Sequence, residues 1–116
     1  MAEGKGKDGL TVLLNDGTGK FTMLKGSPFQ AGQNPNRIAI GDVNGDGIND
    51  VVTSDYEENK IYIFIMSKNG SNLTTNTITS GQHPKGIAIA DLNGDRKADI
   101  VICNNADNNI TIIWGK

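Results

Sequence analysis

The chain repeats itself. From Gln33 to Ile65 it reads QNPNRIAIGDVNGDGINDVVTSDYEENKIYIFI, and 49 positions later (82 − 33 = 49) QHPKGIAIADLNGDRKADIVICNNADNNITIIW runs to Trp114 without a gap. Pro35 matches Pro84, Ile38 matches Ile87, Asp42 matches Asp91 and Asp50 matches Asp99. An incomplete third copy lies upstream, where GLTVLLNDGTGKFTMLKGSPFQAGQNP parallels KIYIFIMSKNGSNLTTNTITSGQHP. A period of this size means stacked units, because one such unit cannot bury its apolar surface alone.

Within a period the pattern is of strands. RIAIG, DVVTS, KIYIFIM and NLTTNTI are short and rich in β-branched or aromatic residues. NGDG, YEEN and SKNG separate them with turn chemistry, and no window carries a helical period. IYIFIM and ITIIW are apolar at consecutive positions, which predicts strands covered on both faces. Four strands per period with both faces buried is the arithmetic of a β-propeller blade. The predicted fold is therefore all-β, with about two and a quarter blades of four antiparallel strands. Residues 1–8 read as a flexible leader and 9–116 as the propeller segment. Within it, 9–35 hold the last two strands of one blade, 36–84 a full blade, and 85–116 the first three strands of the next. That is roughly nine strands against at least about sixteen in a closed ring, so self-association or the remainder of a longer propeller is expected to cover the outer blade faces.

Each period carries the same acidic turn. In DVNGDGIND oxygen-bearing side chains fall at the first, third, fifth and ninth positions, Asp42, Asn44, Asp46 and Asp50. In DLNGDRKAD they are Asp91, Asn93, Asp95 and Asp99. A hard cation such as calcium takes six to eight oxygens, mostly carboxylates and carbonyls. Alternating positions in a tight loop aim at one centre, and Gly45 and Gly94 permit the curl. The seventh-position carbonyls, on Ile48 and Lys97, are the expected extra ligands. Two carboxylates about 4 Å apart repel by roughly 4 kcal/mol at an effective dielectric of 20, and each loop gathers three. The helix-flanked calcium hand is excluded: its twelfth-position glutamate is replaced by Thr53 and Ile102, both in predicted strands.

IAIGDVNGDGINDVV and IAIADLNGDRKADIV resemble the FG-GAP and VCBS-type repeats of the integrin α-subunit head and of many secreted bacterial and fungal propellers. LTVLLNDGTGKF is similar to the stretch that such repeats place before the next blade. The resemblance spans Gly9 to Trp114. It implies calcium at Asp42, Asn44, Asp46 and Asp50, and again at Asp91, Asn93, Asp95 and Asp99. It also implies a rigid extracellular or secreted scaffold for adhesion or protein recognition, with a carbohydrate-binding propeller or a self-assembling fragment as alternatives. The family's Phe-Gly start is absent, and Arg96 stands where the first loop has Gly47.

Little else suggests chemistry. A formal charge of −2 gives no pull toward nucleic acid or an anionic membrane. His83 is the sole histidine and aligns with Asn34, so no catalytic triad is expected, and no phosphate loop, zinc spacing or nucleophile elbow appears. An enzyme is not expected. Cys103, the lone cysteine, reads as a small buried hydrophobe. Trp114 and Tyr56 read as rim or packing aromatics, Tyr62 as a packed strand residue. Asn69, Asn72 and Asn109 fit the N-glycosylation pattern.

Overall fold

The computed structural model describes residues 9–24, 29–32, 34–67 and 73–115. The leader, Asn69 and Asn72 lie outside them. All regular structure among the described residues is antiparallel β.

The upstream copy, expected as two strands, folds as a hairpin in four short pieces, β1 (Gly9–Leu10), β2 (Leu13–Asn15), β3 (Phe21–Met23) and β4 (Phe29–Gln30). β1 pairs with β4 and β2 with β3. A hydrogen bond from Leu24 N–H to the Val12 carbonyl (2.8 Å) links the pieces.

The complete period forms one sheet in the order β5 (Pro35–Gly41), β6 (Asp50–Asp55), β7 (Lys60–Met66) and β8 (Leu73–Thr79). The next period forms β9 (Pro84–Ala90), β10 (Asp99–Asn104) and β11 (Asn109–Ile113), in the order β9-β10-β11. These are propeller blades: meanders in which each strand pairs with its sequence neighbour, stacked face to face.

Register divides the central sheet into two apolar faces. Opposed pairs Ile40–Val51, Val51–Phe64 and Thr53–Tyr62 place Ile38, Ile40, Val51, Thr53, Tyr62 and Phe64 on one face. Ala39, Val52, Ser54, Ile61 and Ile63 lie on the other. On the first, Val51, Tyr62 and Phe64 pack with Leu10 and Ala31, joined by Val12 and Phe29 of the hairpin segment. On the second, Val52, Ile61 and Ile63 pack with Ile87, Ile89, Ile100, Ile102 and Ile113 of the following sheet. Consecutive residues Ile61 to Phe64 are therefore all buried, as expected for a sheet sandwiched between neighbours.

The first strands, β5 and β9, converge at one edge of the stack. A Cβ on Gly41 would lie 2.6 Å from Ile89 Cγ2, so the absence of a side chain lets the two backbones approach. At the opposite end of these strands, Gly32 and Gly81 pass against Asp55 and Asn104, the matched last residues of β6 and β10.

Two expectations fail on the last sheet. ITIIW is not covered on both faces: Ile110 and Ile112 are exposed. Cys103, expected to be buried, is exposed on the same face. The cause is common to both, since no further sheet stacks there among the described residues.

Phe64 is fully buried between the hairpin and the central sheet. Phe64→Ala should cost about 3–5 kcal/mol, read as a lowered denaturant midpoint followed by far-UV circular dichroism.

Candidate metal centre

The first acidic turn connects β5 to β6. Asp42 closes the curl by itself. Its Oδ1 accepts from the N–H groups of Gly45 (2.8 Å) and Asp46 (3.2 Å), and its Oδ2 from Gly47 (2.7 Å). Gly45 and Gly47 have φ of 80° and 84°, the left-handed region that a residue without Cβ enters freely. Asn44 Oδ1 accepts from Asp46 N–H (3.3 Å), and Asp46 Oδ1 from Ile48 N–H (2.9 Å).

Asp50 is the anchor. It opens β6 fully buried, accepting from Val43 N–H (3.0 Å) in the loop and from Met66 N–H (3.1 Å) at the end of β7. One carboxylate thus ties the loop to the middle of the blade. Carboxylate oxygens of Asp42, Asp46 and Asp50 lie within 4.8 Å of one another.

The charges feel this arrangement. Burial pushes the Asp50 carboxyl above its usual range; the Met66 and Val43 amides oppose this, and repulsion from Asp46 and Asp42 adds to it. Burial also pushes Asp42 upward, but the N–H groups of Gly47, Gly45, Asp46 and Asn44 outweigh it and leave the carboxyl below its usual range. Three of these amides hydrogen-bond to the carboxylate, which offers about four lone-pair sites, so Asp42 keeps room for a cation.

The second loop, between β9 and β10, repeats the hydrogen bonds. Asp91 accepts from Gly94 and Arg96 (2.8 Å each), Asn93 from Asp95 (3.3 Å) and Asp95 from Lys97 (2.9 Å). Buried Asp99 accepts from Leu92 (2.9 Å) and Gly115 (2.7 Å). The Arg96 and Gly94 amides hold the Asp91 carboxyl below its usual range, against the upward push of burial. Among the described residues, however, Asp42, Asp46 and Asp50 are the group of three acidic, histidine or cysteine side chains brought this close. Ile48 and Lys97, expected to lend carbonyls, are placed by the N–H bonds that they give to Asp46 and Asp95.

Sequence reasoning missed one neighbour. The Lys97 stem lies over the first loop, where its Cγ is 3.2 Å from the position a Cβ on Gly45 would take, and Ala98 N–H reaches the Asp42 carbonyl (3.3 Å). The two loops are adjacent, so the end of the second packs on the first. The alignment places these residues one period apart and carries no signal of that proximity.

The remaining singled-out residues are placed as follows. His83 stacks on Tyr56 with ring centroids 4.3 Å apart; its Nδ1 is 2.9 Å from the Tyr56 carbonyl, and its N–H donates to Asn59 Oδ1 (2.8 Å). It joins the β6–β7 turn to the approach of β9. Tyr62 is buried and donates its hydroxyl to Glu58 (2.8 Å); burial, then that bond, pushes its pKa up to about 12. Trp114, just past β11, is 52% exposed at a cleft of about 280 Å³ lined by Asn44, Ile63, Asn76 and Ile100.

The FG-GAP-like repeat matches twice, over residues 2–53 and 42–102. The chain belongs to the FG-GAP-like repeat family. Both matches on this FG-GAP-like chain end just past an acidic turn, at Thr53 and at its repeat partner Ile102. No curated protein and no solved structure matches it.

Arg96 tests the loop's backbone. It holds φ of 69° at the position equivalent to Gly47. A side chain there costs roughly 1–2 kcal/mol, partly offset by the extra freedom of unfolded glycine, so Arg96→Gly should stabilise the protein by about 0.5–1 kcal/mol. Gly47→Arg, with open space around its Cβ position, should destabilise by a similar amount in the same urea titration.

Proposed function

We propose that this chain is a non-catalytic calcium-binding propeller segment, a rigid extracellular scaffold for adhesion or protein recognition. The observation that carries the reading is the convergence of Asp42, Asp46 and Asp50 on one point. The donor set fits the ion: hard oxygens alone, from three carboxylates and the Asn44 amide, with the Ile48 carbonyl as a further candidate. Asp91, Asn93, Asp95, Lys97 and Asp99 form the second proposed site. FG-GAP repeats often bind calcium, in keeping with this donor set.

A cation there would cancel the repulsion that Asp42 and Asp46 exert on Asp50. Because Asp50 also holds Val43 and Met66, the ion would stiffen the loop together with the end of β7. Millimolar extracellular calcium saturates even a weak site of this kind, which favours a location outside the cell.

Calorimetry should show calcium binding that Asp46→Ala abolishes at the first loop and Asp95→Ala at the second. At calcium of about 100 Kd, one site should add about 2.7 kcal/mol of stability. The pH dependence has a definite sign. Asp50 has a folded pKa above its unfolded one, so its ionised form costs stability that protonation restores in the metal-free protein. Calcium requires the ionised form, so its added stability is lost as pH falls through that raised value, at a higher pH than for an ordinary carboxylate. Unchanged calcium binding in Asp46→Ala removes the first loop from the proposal.

A second reading rests on Trp114, whose exposed ring beside Asn44 and Asn76 suits the stacking face of a sugar. A glycan array should show binding lost in Trp114→Ala if the propeller acts as a lectin, and no binding if the cleft only packs.

A further inference from the structure

We propose that the open edge of β11 takes up an extended segment of a partner protein as a fourth strand, one apolar side chain of that segment filling the cleft beside Ile78 and Ile113. The inference deepens the protein-recognition reading above and rests on it, naming the form of the partner.

The central sheet has four strands and the following sheet three. Among the described residues, β11 has a strand on one side only, so its outer edge offers backbone groups for pairing. Ile78 and Asn76 of β8 lie opposite Ile61 and Ile63, on the face that looks toward the following sheet. No strand of that sheet lies beneath them among the described residues. The cleft of about 280 Å³ opens at this place, with Ile63 and Ile78 on one side and Ile100 and Ile113 on the other.

One repeat earlier, the molecule shows what such a cleft holds. Leu10 faces Phe29 across the hairpin as Ile61 faces Ile78 across the central sheet. In the same register Val12 corresponds to Ile63, and one repeat carries Val51 to Ile100 and Phe64 to Ile113. The earlier set is filled by Leu73 of β8, which packs against the same core cluster. Leu73 pairs with Met66, whose repeat partner is Gly115, and Gly115 lines the cleft. Gly115 N–H donates to Asp99 as Met66 N–H does to Asp50, so the backbone keeps the same course past β11. The cleft is the seat of Leu73 moved on by one repeat, and left open.

That seat selects one strand, antiparallel to β11 and about as long as the seven residues of β8. Its apolar residue comes opposite Gly115. The next alternate positions come opposite Ile113 and Thr111, where β8 sets Thr75 and Thr77 against Phe64 and Tyr62. Backbone pairing at a sheet edge supplies affinity, and pockets for alternate side chains supply specificity. A second copy has no such strand to give, because its Leu73 is packed in the core and its β8 already pairs with β7. The occupant is therefore a segment not built into a sheet of its own.

The probe is a capped synthetic peptide copying Leu73–Thr79, LTTNTIT, titrated into the whole isotope-labelled chain in calcium. Binding should slow amide hydrogen exchange at alternate residues of Asn109–Ile113 by roughly tenfold at saturation. The peptide carrying Leu73→Asp should bind at least about tenfold more weakly. N-methylating its amides at one set of alternate positions should abolish binding, and at the other set leave it unchanged. The protein is unaltered throughout, so no readout depends on a variant folding. No binding at roughly 1 mM peptide overturns the proposal, as does protection confined to β8 or the hairpin. Equal binding of the two methylated peptides overturns strand addition, and unchanged binding of Leu73→Asp overturns the seat. Binding only when the peptide is joined after Lys116 gives the slot to the chain's own continuation and overturns a separate partner. Self-association that the peptide reverses gives it to a second copy, and glycan binding without peptide binding gives it to a sugar; both overturn the proposal. Calcium bound without peptide removes the slot and leaves the metal reading, whereas peptide bound without calcium does the reverse.

Discussion

A sheet that is apolar on both faces cannot exist alone in water, and the rest of this structure follows from that. Val51 and Phe64 point one way from the central sheet, Val52 and Ile63 the other. Burying only one set would leave the other as exposed hydrocarbon, at roughly 25 cal/mol for each Å². Stacking satisfies both sets at once. It also makes the repeat necessary, because each cover must itself be a sheet of the same kind.

Stacking alone does not fix the ends of the strands. That task falls to buried polar side chains that take backbone amides as partners. Asp50 and Asp99 each grip a loop N–H on one side and an amide at or just past the end of the third strand on the other. At the opposite end Asp55 accepts from Asn34, Glu57 and Glu58, and Asn104 accepts from Gly81 while donating to Asn109 and Thr111. Such groups are expensive to bury unless bonded, and here the carboxylates and the Asn104 oxygen take backbone amides while the Asn104 amide donates to the Asn109 and Thr111 side chains. Apolar faces set how the sheets stack, and these four residues set where each strand stops.

Much of this was legible in the residue order. The strand segments of the complete blade, the turns between them and the acidic loops all emerge from β-branched runs and Asp-Asn-Gly clusters that recur in phase. The hairpin was legible as a pair of strands but not as four pieces, because a run of β-branched and apolar residues such as LTVLL does not show where a ladder is interrupted. Cys103 and Ile112 were misread for one reason: an apolar run declares what a strand prefers against its faces, and not whether a neighbour is present. The proximity of Lys97 to Gly45 was also invisible, since it depends on how closely two successive turns stack.

Gly41 marks one close approach of two successive sheets. Its missing side chain lets the first strands of successive sheets, β5 and β9, come together, while the neighbouring strands are held apart by core side chains such as Val52, Ile61, Ile63, Ile100 and Ile102. The stack is therefore a wedge, and its angle is set by the difference between those two separations. In the following sheet the matching residue is Ala90, one methyl group larger. Thickening the narrow edge while the wide edge stays constant flattens the wedge, and flatter wedges need more members to complete a circle. The curvature of a stack of such sheets is thus governed by atoms at its narrow edge, where a single carbon has the greatest leverage.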